Sequence, residues 1–138
     1  MKVGKQIPSE KVEPTVEKHL LQSRKYLFNA YKSISDRNYD KASEFLWGAT
    51  AQIIKALAAK KGIILSSHRD LWDFVEQLAK ELEDKPLYDA FFKANALHGN
   101  FYEVRLGEKE VVEAAEDIRK LISKILGLIG IRDDEVFV

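Results

Sequence analysis

Cysteine is absent from all 138 residues. That absence excludes disulfides, thiolate nucleophiles and Cys-based zinc sites, and it suits a reducing, cytoplasmic compartment. Only three Pro and seven Gly are present, too few for a sandwich or barrel that reverses direction about every ten residues. The opening stretch MKVGKQIPSEKVEP lacks the apolar run of a signal peptide. The longest apolar run, residues 125–131, is far shorter than a membrane span. No phosphate-cradling Gly-rich loop, serine elbow or zinc-ligand spacing occurs. None of the three histidines has a Glu three residues before it, so the Glu-x-x-His signature of di-iron bundles is missing. Glu113, Glu116 and Asp117 read as an exposed face. Neither a metal nor an organic cofactor is expected.

What remains is a chain that is 46% apolar and 32% charged. The first figure supports a packed core and excludes disorder, and the second keeps the exterior wet. At this length a second domain would have too little surface to bury. The net charge is zero, but the two halves differ. Residues 1–61 carry twelve Lys/Arg against six Asp/Glu, and residues 62–138 carry ten against sixteen. Such asymmetry suits a polyanion drawn to the first two helices, two subunits docking, or simply two solvated sets of helix faces.

Apolar spacing reads as helix throughout. Residues 1–12 form a loose lead, and Pro14 suits the first turn of a helix that runs to about Ser35 through Val16, Leu20, Leu27, Tyr31 and Ile34. Asp36-Arg37-Asn38 is short enough to make the next helix antiparallel. That helix spans about Tyr39 to Lys61, with Ala42, Phe45, Leu46, Ala49, Ile53, Ala56 and Leu57 as its stripe. Ile63-Ile64-Leu65 should tuck onto the core. Ser67 with Asp70 resembles a capping box opening a third helix at 68–82. Pro86 opens the fourth, and Gly107 separates it from a fifth at about 109–126. The expected architecture is all-α, an antiparallel up-down bundle of about five helices. One domain covers 13–127, followed by a tail at 128–138.

The segment Lys93-Ala94-Asn95-Ala96-Leu97-His98-Gly99-Asn100-Phe101-Tyr102-Glu103 departs from plain packing. At about 100° per residue, Ala94, His98, Phe101 and Tyr102 share a side. Asn95 precedes His98 by a turn, and Arg105 returns near its azimuth if the helix continues. Histidine is the natural proton carrier near neutral pH, although a core-edge histidine bonded to a neighbouring carbonyl fits the same pattern. Gly99 in mid-helix costs about 1 kcal/mol against Ala, which points to a close approach there. Trp47 and Trp72 read as core or interface aromatics rather than base-stacking platforms. His68-Arg69 reads as a solvated helix start. The turn Asn38-Tyr39-Asp40-Lys41-Ala42 also resembles a tetratricopeptide hairpin, but no second copy follows at the required period.

The run from Ala96 to Glu103, followed by an apolar fifth helix, resembles the archaeal PaREP-type proteins, small helical domains related to the HEPN superfamily. Residues 26–31, 38–42 and 49–57 resemble the HEPN helix pair, so the likeness covers roughly residues 13–126. Active HEPN domains are metal-independent ribonucleases that carry Arg, four to six residues, then His. His98 matches that histidine, whereas the position five earlier holds Lys93, which keeps the charge without the planar fork that grips phosphate. The resemblance implies that the chain binds RNA or a nucleotide. It makes His98 and Lys93 the catalytic pair, and Asn95, Tyr102 and Arg105 substrate-binding. It further implies a homodimer whose two motifs face one cleft, and a nucleotidyltransferase partner, with no membrane role. The alternative is a catalytically inactive dimeric helical module for protein interaction.

Overall fold

The computed structural model describes residues 3–100 and 107–131. Five helices carry the fold: α1 (Ser9–Ser35), α2 (Tyr39–Lys60), α3 (His68–Leu82), α4 (Lys85–Asn100) and α5 (Glu108–Ile129). The all-α bundle expected from the spacing is what forms. Each junction has a local cause. Asn38 accepts the Lys41 N–H at 3.2 Å and starts α2. Ser67 accepts the Asp70 N–H at 3.0 Å, and the Asp70 carboxylate accepts the Ser66 N–H at 3.0 Å. The box is closed one residue earlier than in the usual motif. Glu83 takes the left-handed conformation, φ 51°, and ends α3 with Asp84 N–H bonding back to the Ala79 carbonyl at 2.9 Å.

Asp84 then serves two helices. Its Oδ1 accepts the Leu87 N–H at 3.0 Å, capping α4, while Oδ2 pairs with Lys124 of α5. The Lys124 contact holds this carboxyl below the usual carboxylate range against the opposing effect of burial, and the Leu87 N–H adds to the lowering.

The N-terminus corrects two expectations. α1 begins at Ser9, so Pro14 is its sixth residue rather than a first-turn one. The bond Pro14 cannot donate would have gone to Glu10, still in the helix's first turn, so little is lost. Nor are all of residues 1–12 a loose lead. Strand β1 (Lys5–Gln6) pairs antiparallel with β2 (Ile63–Ile64), in the register Lys5↔Ile64 and Gln6↔Ile63. Ile7 donates to the Gly62 carbonyl at 2.8 Å and is buried. Gly4 makes the pairing feasible: its φ is +78°, and a Cβ there would stand 2.3 Å from the Ile64 carbonyl oxygen. Leu65 does tuck inward, while Ile64 stays exposed.

α2 is the axis of the molecule and packs against the other four helices. More than half its residues are buried, among them Ala42, Ala49 and Ala56 at successive heptads. Small side chains on a central helix let its neighbours come close. α1 lies along one side, where the Ser23 hydroxyl donates to the Ala49 carbonyl at 2.8 Å. Among the described residues no helix is long and apolar enough to cross a membrane.

Candidate functional site

Two residues after Leu46 and before Ala49, α2 turns its surface by about 200°. Trp47 therefore leaves the helix on the side opposite the α1 contact. It is half-buried, and three rings meet it there. His98 of α4 stacks on the indole with centroids 5.6 Å apart and planes 23° from parallel. His68, the first residue of α3, lies 5.4 Å away and is tilted by 44°. Phe91 of α4, fully buried, closes the inner edge at 5.7 Å. Both imidazoles are exposed to solvent.

The placement follows from helix geometry. Phe91, Asn95 and His98 are spaced four and three apart, which puts them on one face of α4. That face looks at α2 and at the start of α3. Asn95 Oδ1 accepts a hydrogen bond from His68 Nε2 at 2.8 Å. The bond fixes the ring and leaves Nδ1 as its free nitrogen when His68 is neutral. His98 makes no hydrogen bond among the described residues and is held by stacking alone. The expectation of a buried, satisfied histidine does not describe it.

Lys93 goes elsewhere. It is five residues before His98, about 140° around the helix, and it pairs with Asp117 of α5. Together with Asp84, Asp89, Lys120 and Lys124 it borders an open groove of about 510 Å³ between α4 and α5. The structure thus does not bring Lys93 to His98. Asn95 does join the histidine site, although through His68. Tyr102 and Arg105 lie outside the described residues. The third histidine, His19, faces α2 from α1, with Nδ1 2.6 Å from Gln52 Oε1.

Two members of the cluster were not legible as such. Trp47 carries the ordinary sequence signature of a core aromatic, and His68 that of a helix start. Only the packing of α3 and α4 against α2 makes them neighbours. Trp72 behaves as its pattern suggests, edge-on to Phe91 at 4.9 Å and to Tyr88 and Phe92 at 6.0 Å.

The sequence profile of the archaeal PaREP1/PaREP8 family matches residues 18–122, a span that holds all five helices and the histidine stack. The chain belongs to this family. A crystal structure of a protein from Sulfolobus solfataricus is similar to this PaREP chain with a TM-score of 0.67. The two are 23% identical over 77% of this chain and 94% of the other, a likeness that speaks for the fold. Comparison with curated proteins gave no match. Among the described residues of the PaREP chain, no group of three or more His, Cys, Asp or Glu could hold a metal ion.

Proposed function

We propose that this protein binds single-stranded RNA or a nucleotide on the His68–Trp47–His98 face and cleaves RNA there without a metal. The observation that carries the reading is the pair of solvent-exposed imidazoles on one half-buried indole. Aromatic and imidazole planes at a surface suit unstacked bases, and each stacked base contributes about 1–3 kcal/mol. Two histidines beside a bound phosphodiester can move both protons that transesterification requires. One neutral imidazole takes the 2′-hydroxyl proton as that oxygen attacks phosphorus. The other, protonated, delivers a proton to the departing 5′-oxygen. The products are a 2′,3′-cyclic phosphate and a 5′-hydroxyl, and no redox or metal partner enters the balance.

His98 keeps the role that the HEPN resemblance gives it. His68, oriented by Asn95, takes the second position in place of Lys93, whose charge is committed to Asp117. The full chain is to be incubated with mixed RNA in EDTA beside His98→Ala, His68→Ala and Trp47→Leu. Cleavage should persist in EDTA and fall by about 100-fold or more in each histidine variant. Trp47→Leu should weaken RNA binding about tenfold. If the wild type neither cleaves nor binds RNA or nucleotides at low salt, the reading is wrong. Binding without cleavage would retire the nuclease and keep the binding site.

The alternative, an inactive interaction module, draws on a different observation, the exposed apolar side chains of α1.

A further inference from the structure

α1 buries Val16, Leu20 and Leu27 against α2, yet its outer side is not purely polar. Leu21 is 64% and Phe28 69% exposed, seven residues apart and hence on one strip of the helix. Beside that strip Lys11, Lys18, Lys25 and Lys32 recur at the same interval, all exposed. α5 is the neighbour of α1 on this side. Arg119 and Glu116 of α5 both act on the Tyr31 hydroxyl. Next to them stand Val112, also exposed, and the acidic residues Glu108 and Glu113. None of the four lysines, and none of Glu108, Glu113 and Glu116, has an ion-pair partner among the described residues. One face of the molecule therefore carries a basic apolar strip and an acidic apolar strip side by side, both uncompensated.

We propose that this face is a two-fold interface between copies of the chain, with α1 of one copy lying on α5 of the other. A two-fold axis passing between two adjacent helices exchanges them, so each contact is made twice from one patch. The lysine row meets the glutamates, and Leu21 and Phe28 meet Val112. Pairing α1 with its own copy would instead set the lysine rows against each other, at an energetic cost. A polyanion would satisfy the lysines but leave Leu21 and Phe28 in water, and exposed apolar strips flanked by charge suit a protein partner. The histidine stack sits on the side of α2 away from α1. In this dimer each stack is complete within one chain, and the two do not share a cleft.

The test uses light scattering on the full chain and two charge variants. The wild type should have twice the monomer mass of 15.8 kDa. Variant A carries Lys18→Glu, Lys25→Glu and Lys32→Glu, and variant B carries Glu108→Lys, Glu113→Lys and Glu116→Lys. Each alone should lose dimerisation by at least tenfold in Kd, because its two strips then bear one sign. Mixed in equal amounts, A and B should dimerise again. Phe28→Glu, at an exposed position, should give a monomer with unchanged helical circular dichroism.

A monomeric wild type at high micromolar concentration would overturn the proposal. So would a variant B that stays dimeric, since that is the behaviour of α1 paired with α1. Loss of RNA binding in variant A with unchanged mass would assign the lysine row to a polyanion, which also overturns it. The Phe28→Glu monomer should still bind RNA at the Trp47 face, so failure of the interface and failure of the RNA site give different results.

Discussion

The two sides of α2 are built from different materials. Toward α1 the contact is close and made from small or polar groups. Ser23 bonds to the Ala49 carbonyl, His19 meets Gln52, and the Tyr26 ring covers Gly48 so closely that a Cβ would lie 2.9 Å from its Cδ2. Toward α3 and α4 the contact is aromatic, with Trp47, Phe91 and Trp72 edge or face to one another and two imidazoles at the rim. A close seam of small groups leaves no room for a ligand. A stack of large rings ends in exposed planes and polar edges, which a ligand can use. The difference explains why candidate chemistry gathers on one side of the central helix while the other serves as a rigid back.

Phe91→Ala should break the aromatic side most severely. The ring is fully buried and touches both tryptophans, so removal should cost about 3–5 kcal/mol in chemical denaturation and change the near-ultraviolet dichroism of both indoles. Asp84→Ala ranks next, since it removes the α4 cap and leaves Lys124 unpaired. About 2 kcal/mol is expected, read as a lower denaturation midpoint at unchanged slope. On the α1 side, Gly48→Ala should cost about 1 kcal/mol, although helix propensity alone favours Ala by a similar amount. A more stable Gly48→Ala protein would mean that Tyr26 yields readily and that the close seam is softer than its geometry implies.

Most of the fold was legible because its signals are local. The hairpin followed from apolar spacing and a three-residue turn, and Ser67 and Pro86 marked helix starts that the structure reproduces. The start of α1 was misplaced. Pro14 looks like a first-turn proline, and nothing within the first twelve residues announces a strand whose partner lies at residues 63–64. The site was half legible. His98 and Asn95 stand a turn apart on one helix, so spacing found them. His68 and Trp47 come from two further helices, and their approach is fixed by how those helices pack on α2, which no local pattern encodes. Lys93 was drawn in by its distance from His98 in sequence, but five residues along a helix turn a side chain away from its mate.

His19 offers the mildest probe of the α1 seam, and its sign can be worked out in advance. Burial, opposed by the Gln52 hydrogen bond, and then Lys55 and Lys18 lower its pKa from the ordinary 6.5. The folded protein therefore holds this ring neutral where the unfolded chain would already be protonated. Above pH 6.5 both states are neutral and the residue adds no pH dependence. As pH falls below 6.5 the unfolded state gains the proton first, so stability declines until the folded ring also titrates. Asp84 adds a separate loss at lower pH. Its folded pKa is depressed below 3.8, so its contribution is complete above that value and disappears as pH falls through the folded one. Melting temperature against pH should thus bend twice, and His19→Gln should remove only the upper bend. If the upper bend survives that substitution, the titrating group is not at the α1 seam. The histidines of the stack would then be the next to test, and the rigid back and the reactive front would exchange their pH signatures.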